Sequence, residues 1–116
     1  MNKYAARGLL AEALDGKRIL VLAGTQVEAR EALRVCAAET AVSPSRFKVR
    51  YANGAERISC APGWLVFKSV RSSLRGYAAD VVFIDGEAHR RVDSSTGALE
   101  ELRVSILALG GEVVFA

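Results

Sequence analysis

The sequence predicts an α/β fold, a three-layer sandwich built on one mixed sheet, and three observations lead there. Arg18 to Ala23 (RILVLA) and Ala79 to Ile84 (ADVVFI) are apolar runs without alternation, the mark of strands covered on both faces. The first run breaks at Gly24 and passes at once into a capped helix, the local grammar of a parallel α/β sheet. Residues 47–70 read differently, as short strands around Asn53-Gly54, the strongest hairpin signal in the chain.

Taken in order, residues 3–14 (KYAARGLLAEAL) place Leu9, Leu10, Ala13 and Leu14 on one helical face, and Asp15-Gly16 ends that helix. After the strand at 18–23, Thr25 and Glu28 have the spacing of a capping box. The helix they open runs to about Thr40, with Ala29, Leu33, Cys36 and Ala37 inward. Ser43-Pro44-Ser45 punctuates. Phe47 to Tyr51, Glu56 to Cys60 and Trp64 to Val70 then form an antiparallel insert, with turns at Asn53-Gly54 and Pro62-Gly63.

Residues 71–77 read as a polar loop or single helical turn, and residues 80–85 as a second buried strand ending at Asp85. Residues 89–97 (HRRVDSSTG) read as a loop. Leu99, Leu102, Ile106 and Leu109 repeat as a helical stripe capped by Gly110-Gly111. Residues 112–116 make a last apolar strand. The parallel strands are therefore 18–23, 80–85 and 112–116, in a single domain over 1–116.

Composition narrows the class. Of 116 residues, 51% are hydrophobic and 25% charged, ordinary for a globular domain. No apolar run approaches the roughly 18 residues of a membrane helix, so no membrane partner is expected. Met1 to Asp15 carries Arg7, Glu12 and Asp15 in place of a signal-peptide core, which predicts a cytoplasmic protein. Cys36 and Cys60 are too few for a disulfide framework and lack metal spacing, and Cys36 falls on an apolar helix face as a buried thiol. The net charge of +3 comes from twelve arginines and four lysines against thirteen acids, compatible with nucleic acid but without a basic stripe.

Chemistry-bearing residues are sparse. Val81-Val82-Phe83-Ile84-Asp85 would deliver a carboxylate to the C-terminal edge of the sheet, where ligands of open α/β sheets bind. The same pattern also serves turn chemistry, because many strands end in Asp. Ser72, Ser73, Ser94 and Ser95 have no histidine partner in local sequence, which leaves nucleophilic catalysis unsupported. Trp64 and Tyr51 read as packing residues of the insert.

The order of motifs is more telling than any one of them. RILVLAGTQVEAREAL, YANGAERISC and SSLRGYAADVVFIDGEAH follow one another. This succession resembles the ATPase core of large terminases and superfamily-two helicases. In that family a strand ends in an "AxT" turn before a helix rich in Ala and Arg, as Ala23-Gly24-Thr25-Gln26 does here. An insert with an "NG" turn follows, then an "LRG" element, here Leu74-Arg75-Gly76, and a strand ending in an acid, here Asp85. The resemblance spans roughly residues 5–116. It implies a P-loop NTPase fold in which Asp85, Glu87 and His89 stand at the magnesium-binding, water-orienting and coupling positions.

Two departures imply a catalytically incomplete domain without a cofactor. No GxxxxGK(S/T) occurs anywhere, and the chain opens Met1-Asn2-Lys3 where the resemblance leads one to expect the phosphate loop, so no lysine and backbone cradle is available for a triphosphate. The family's Asp-Glu-Ala-His is here Asp85-Gly86-Glu87-Ala88-His89, and the inserted glycine rotates the Glu87 carboxylate from the position catalysis needs.

The family's topology also places the phosphate-loop strand beside the last parallel strand, so the resemblance implies an open apolar edge at Val113, Val114 and Phe115. A second copy, another protein or the N-terminal helix should cover it. Three functions follow as expectations. The first is a protein-interaction module using that edge. The second is a weak nucleic-acid-binding module using Thr25, Gln26, Arg71, Arg75 and Arg90, although Thr25 serves equally as a helix cap and Arg90-Arg91 as a solvated pair. The third is half of a split ATPase completed by another chain.

Overall fold

The computed structural model of the chain describes residues 1–70 and 79–85, and the backbone of 112–115. Helix α1 spans Lys3–Leu14. The Asn2 side chain caps it, accepting from the Ala5 N–H at 2.8 Å. Ala6, Leu9, Leu10 and Ala13 are buried, while Leu14, expected among them, is half-buried. Gly16 closes the helix in the left-handed region, at φ +94°.

Strand β1 (Arg18–Ala23) is buried from Ile19 onward, as its unbroken apolar run requires. Helix α2 (Gln26–Glu39) then opens on the expected capping box. Thr25 Oγ1 accepts from the Glu28 N–H at 3.2 Å, and Glu28 Oε2 accepts from the Gly24 N–H at 3.1 Å. Its buried stripe is Ala29, Ala32, Leu33 and Cys36. Ala37, expected among them, is half-buried at the rim instead.

The remaining strands are β2 (Lys48–Arg50), β3 (Arg57–Cys60), β4 (Gly63–Ser69), β5 (Val81–Ile84) and β6 (Glu112–Phe115). With β1, and among the described residues, they form one six-stranded mixed sheet in the order β2-β3-β4-β1-β5-β6. β2, β3 and β4 are antiparallel neighbours, with Arg50 opposite Arg57 and Ser59 opposite Trp64. β1, β5 and β6 are parallel, as expected.

One expectation needs correction. Residues 64–70 belong to the parallel core as well as to the antiparallel insert, since β4 also pairs in parallel with β1, Ile19 against Leu65 and Val21 against Phe67. The reason is visible in its composition: Leu65, Val66 and Phe67 are buried in succession, so this strand needs cover on both faces.

Helices α1 and α2 lie on one face of the sheet. Ala6, Leu9, Leu10, Ala29, Leu33 and Cys36 pack there against Ile19, Val21, Ile58, Leu65 and Phe67. On the opposite face Leu20, Leu22, Val66, Val82 and Ile84 are also buried. The loop expected at 89–97 and the helix expected at 98–109 fall outside the described residues. Among the described residues no helix is long and apolar enough to cross a membrane.

Two contacts align the start of the sheet. Arg18 grips Asp80 through Nε and Nη2, each at 3.1 Å, while the Arg18 N–H donates to the same carboxylate at 2.9 Å. These hydrogen bonds hold the Asp80 carboxyl below its ordinary range and raise Arg18 above its own. Gly63 lets the β3–β4 turn lie against the end of α1, for a Cβ there would sit 1.8 Å from the Ala13 carbonyl oxygen.

Candidate functional site

Because β1, β4 and β5 run in parallel, their C-terminal ends emerge at one edge of the sheet. Open α/β sheets bind ligands at such an edge. Backbone bonds knit it: the Val70 N–H donates to the Ala23 carbonyl at 2.9 Å, and the Asp85 N–H donates to the Leu22 carbonyl at 2.9 Å. Asp85 follows the last residue of β5, and its Oδ2 lies 3.1 Å from the Met1 nitrogen at the start of α1. The carboxylate thus faces the region before α1.

The junction of β1 and α2 supplies Thr25 and Gln26 to the same edge. Thr25 is occupied as the cap of α2. Gln26 reaches across to the β2–β3 turn, where its Nε2 donates to Glu56 Oε2 at 2.6 Å. Glu56 is completely buried, and its other oxygen accepts from the Gly54 N–H at 2.7 Å. Gly54 takes φ +78°, the conformation that an Asn-Gly turn exists to allow. Lys68 Nζ donates to the Gly54 carbonyl at 2.7 Å, so the turn is held from two sides. A carboxylate out of contact with water is tolerated when hydrogen bonds satisfy it.

Of the residues singled out from sequence, Asp85, Thr25 and Gln26 therefore gather at one edge. Arg71, Arg75, Glu87, His89 and Arg90 fall outside the described residues, as does Gly86. Val113, Val114 and Phe115 lie in β6, in register with Val82, Phe83 and Ile84. Among the described residues β6 is the last strand of the sheet, and α1 packs chiefly on α2 and over β4, β3 and β1.

Among the described residues no group of three or more His, Cys, Asp or Glu is placed to hold a metal. Burial pushes the Cys36 thiol up to about 12, which makes it a poor nucleophile.

Compared with solved structures, the chain is similar to the crystal structure of the HK97 bacteriophage large terminase, with a TM-score of 0.54 and 10% sequence identity. The fold is terminase-like. The match covers 85% of this chain but 22% of the terminase, so the terminase-like domain spans about a fifth of that protein's length. No family model and no curated protein matches the sequence.

Two features of the terminase-like domain escaped the sequence reading. Glu56 passed as a strand residue, though an acid directly after an Asn-Gly turn can reach back to the turn's own amides. The second is a cationic face on β2 and β3, formed by Lys48, Arg50 and Arg57 around an open hollow of about 530 Å³. Its signal was the strand period of two, once the hairpin register sets Arg50 against Arg57.

Proposed function

We propose that this terminase-like domain is a catalytically incomplete interaction module, which recruits a second copy or another protein through the edge of β6. The observation that carries the reading is the position of β6. It terminates the sheet, and among the described residues β5 is its one strand neighbour. Its sequence, Glu112-Val113-Val114-Phe115, offers little of the charge or proline by which soluble proteins blunt exposed edges. An edge strand of this kind is a template for strand addition.

The residues present also argue against ATP turnover by these 116 residues alone. They include no GxxxxGK(S/T) segment, and Gly86 separates Asp85 from Glu87. The Thr25 and Gln26 side chains are engaged in a helix cap and in the bond to Glu56, which weakens their candidacy as nucleic-acid contacts.

Light scattering at micromolar concentration, with capture of partners from the native host, tests the module directly. The expected result is a dimer or a stable complex that Val113→Lys or Val114→Lys disrupts. A strict monomer that captures nothing, or an assembly indifferent to both substitutions, overturns it. Isothermal titration with Mg-ATP should give no binding tighter than about millimolar. A micromolar constant abolished by Asp85→Asn would establish an ATP site instead.

A further inference from the structure

The sheet has a second end, and it differs chemically from the first. β2 lies there, and among the described residues β3 is its one strand neighbour. Lys48, Arg50 and Arg57 are exposed, and no ion pair involves any of them among the described residues. The register puts all three on one face: Lys48 opposite Ser59, and Arg50 directly opposite Arg57. Like charges directly opposite across two strands repel. The Arg57 guanidinium lies 5.3 Å from the Trp64 ring centre, a contact that steadies the cation without neutralising it.

The other face of the same strands is apolar. Val49 is opposite Ile58, Ile58 is opposite Leu65, and Val49 and Phe47 pack half-buried against the core. The edge of β2 therefore presents cation, aliphatic, cation in succession, with the row of Val49, Ile58 and Leu65 stopping at a half-exposed margin.

We propose that the edge of β2 docks an acidic β-strand of a partner protein, with the pattern acidic–aliphatic–acidic. Main-chain hydrogen bonds to the open side of β2 hold such a strand. Its two acidic side chains fall on the face of Lys48, Arg50 and Arg57, where directly opposed and diagonal neighbours are within reach. Its aliphatic residue falls on the other face and extends the row of Val49 and Ile58. Arginine forks bind carboxylates in pairs of charge-assisted bonds, and Ser59 adds a hydroxyl to the hollow.

Edge cations commonly serve to repel other strands. Here the same charges make the edge selective, closed to basic strands and to copies of itself and open to acidic ones. A nucleic-acid strand is the less fitting occupant. Three cations neutralise few phosphates, and a phosphate backbone makes no use of the strand edge or of the apolar margin. The proposal deepens the interaction-module reading by naming the chemistry of one partner, and it rests on that reading only for the domain's role.

The test is an amide chemical-shift titration of the full 116-residue chain with acetylated heptapeptides. One carries Glu-Val-Glu at its centre, one the permuted Glu-Glu-Val, and one Lys-Val-Lys, with an oligothymidylate of equal charge beside them. At about 150 mM salt, where exposed charges are screened beyond about 8 Å, the Glu-Val-Glu peptide should shift the amides of residues 47–51. It should bind about tenfold more tightly than the permuted peptide, and Lys48→Glu or Arg50→Glu should remove that tenfold advantage without changing the melting temperature. Equal binding of the permuted peptide, no binding of Glu-Val-Glu, or tighter binding of the oligothymidylate overturns the proposal. Val113→Lys should leave peptide binding intact, so failure at β6 and failure at β2 are read separately.

Discussion

Replacing Gln26 with alanine separates a structural role for that residue from a ligand-binding one. Its amide donates at 2.6 Å to the carboxylate of Glu56, which has no exposure to solvent. A hydrogen bond to a charged group contributes about 1.5–3 kcal/mol, and a buried acceptor stripped of its donor bears the full cost of its lost hydration. Glu56 retains the Gly54 N–H, so the loss should fall within that range, near 2 kcal/mol, or roughly thirtyfold in the folded-to-unfolded ratio. Domains of this size are stable by about 5–15 kcal/mol, which keeps the variant folded and the change measurable. Urea unfolding should show a lower midpoint at unchanged slope. A double-mutant cycle with Glu56→Ala should give a coupling above about 1 kcal/mol. A Gln26→Ala midpoint equivalent to less than about 0.5 kcal/mol, the size of an ordinary surface change, would refute the reasoning and return Gln26 to the ligand candidates.

Gly63→Ala should destabilise by at least 3 kcal/mol or so, since its Cβ would meet the backbone of Ala13 at 1.8 Å and no side chain can swing aside; near-neutral chemical denaturation would contradict it. Gly8→Ala, on α1 with open space around the added methyl, should stabilise by about 0.5–1 kcal/mol in the same assay. Asp80 is held below its ordinary range by Arg18, so its contribution is complete above about pH 4 and disappears as pH falls through the folded value. Asp80→Asn should therefore flatten the acid limb of stability against pH, and an unchanged limb would exclude the pair as its source. Thiol labelling of the native protein at pH 8 should modify half-buried Cys60 before Cys36, whose burial keeps it protonated; the reverse order would show that the α2 face opens readily.

The elements most legible in the sequence were those whose local chemistry and tertiary role agree. α1 kept its expected bounds because Leu9, Leu10 and Ala13 form a stripe and Asp15-Gly16 a stop. α2 began where Thr25 and Glu28 said it would. β4 was half-read, because its turn to β3 at Pro62-Gly63 is local whereas its pairing with β1 joins residues far apart in the chain, which no short window contains. The same limit applied to the site. Asp85 could be placed at a strand end from its own run of apolar residues, but the bond between Gln26 and Glu56 depends on bringing two separate loops together. The cluster of Lys48, Arg50 and Arg57 needed the hairpin register before alternate residues became one face.

The central position of β1 has a consequence for how the chain comes to be folded. Both of its neighbours lie downstream, so Ile19 must await Leu65 on one side and Val81 on the other. The hairpin of β2 and β3 closes over a short loop and can form early, whereas these parallel pairings close long ones and form slowly. During synthesis, RILVLA therefore leaves the ribosome as an aggregation-prone run, uncharged after Arg18, with no strand partner until Ser69 has been made and its second only once Ile84 has. Over that interval α1 and α2, both complete by Thr40, are the available shelter, and their apolar stripes can screen one face of the nascent strand while its edges remain open.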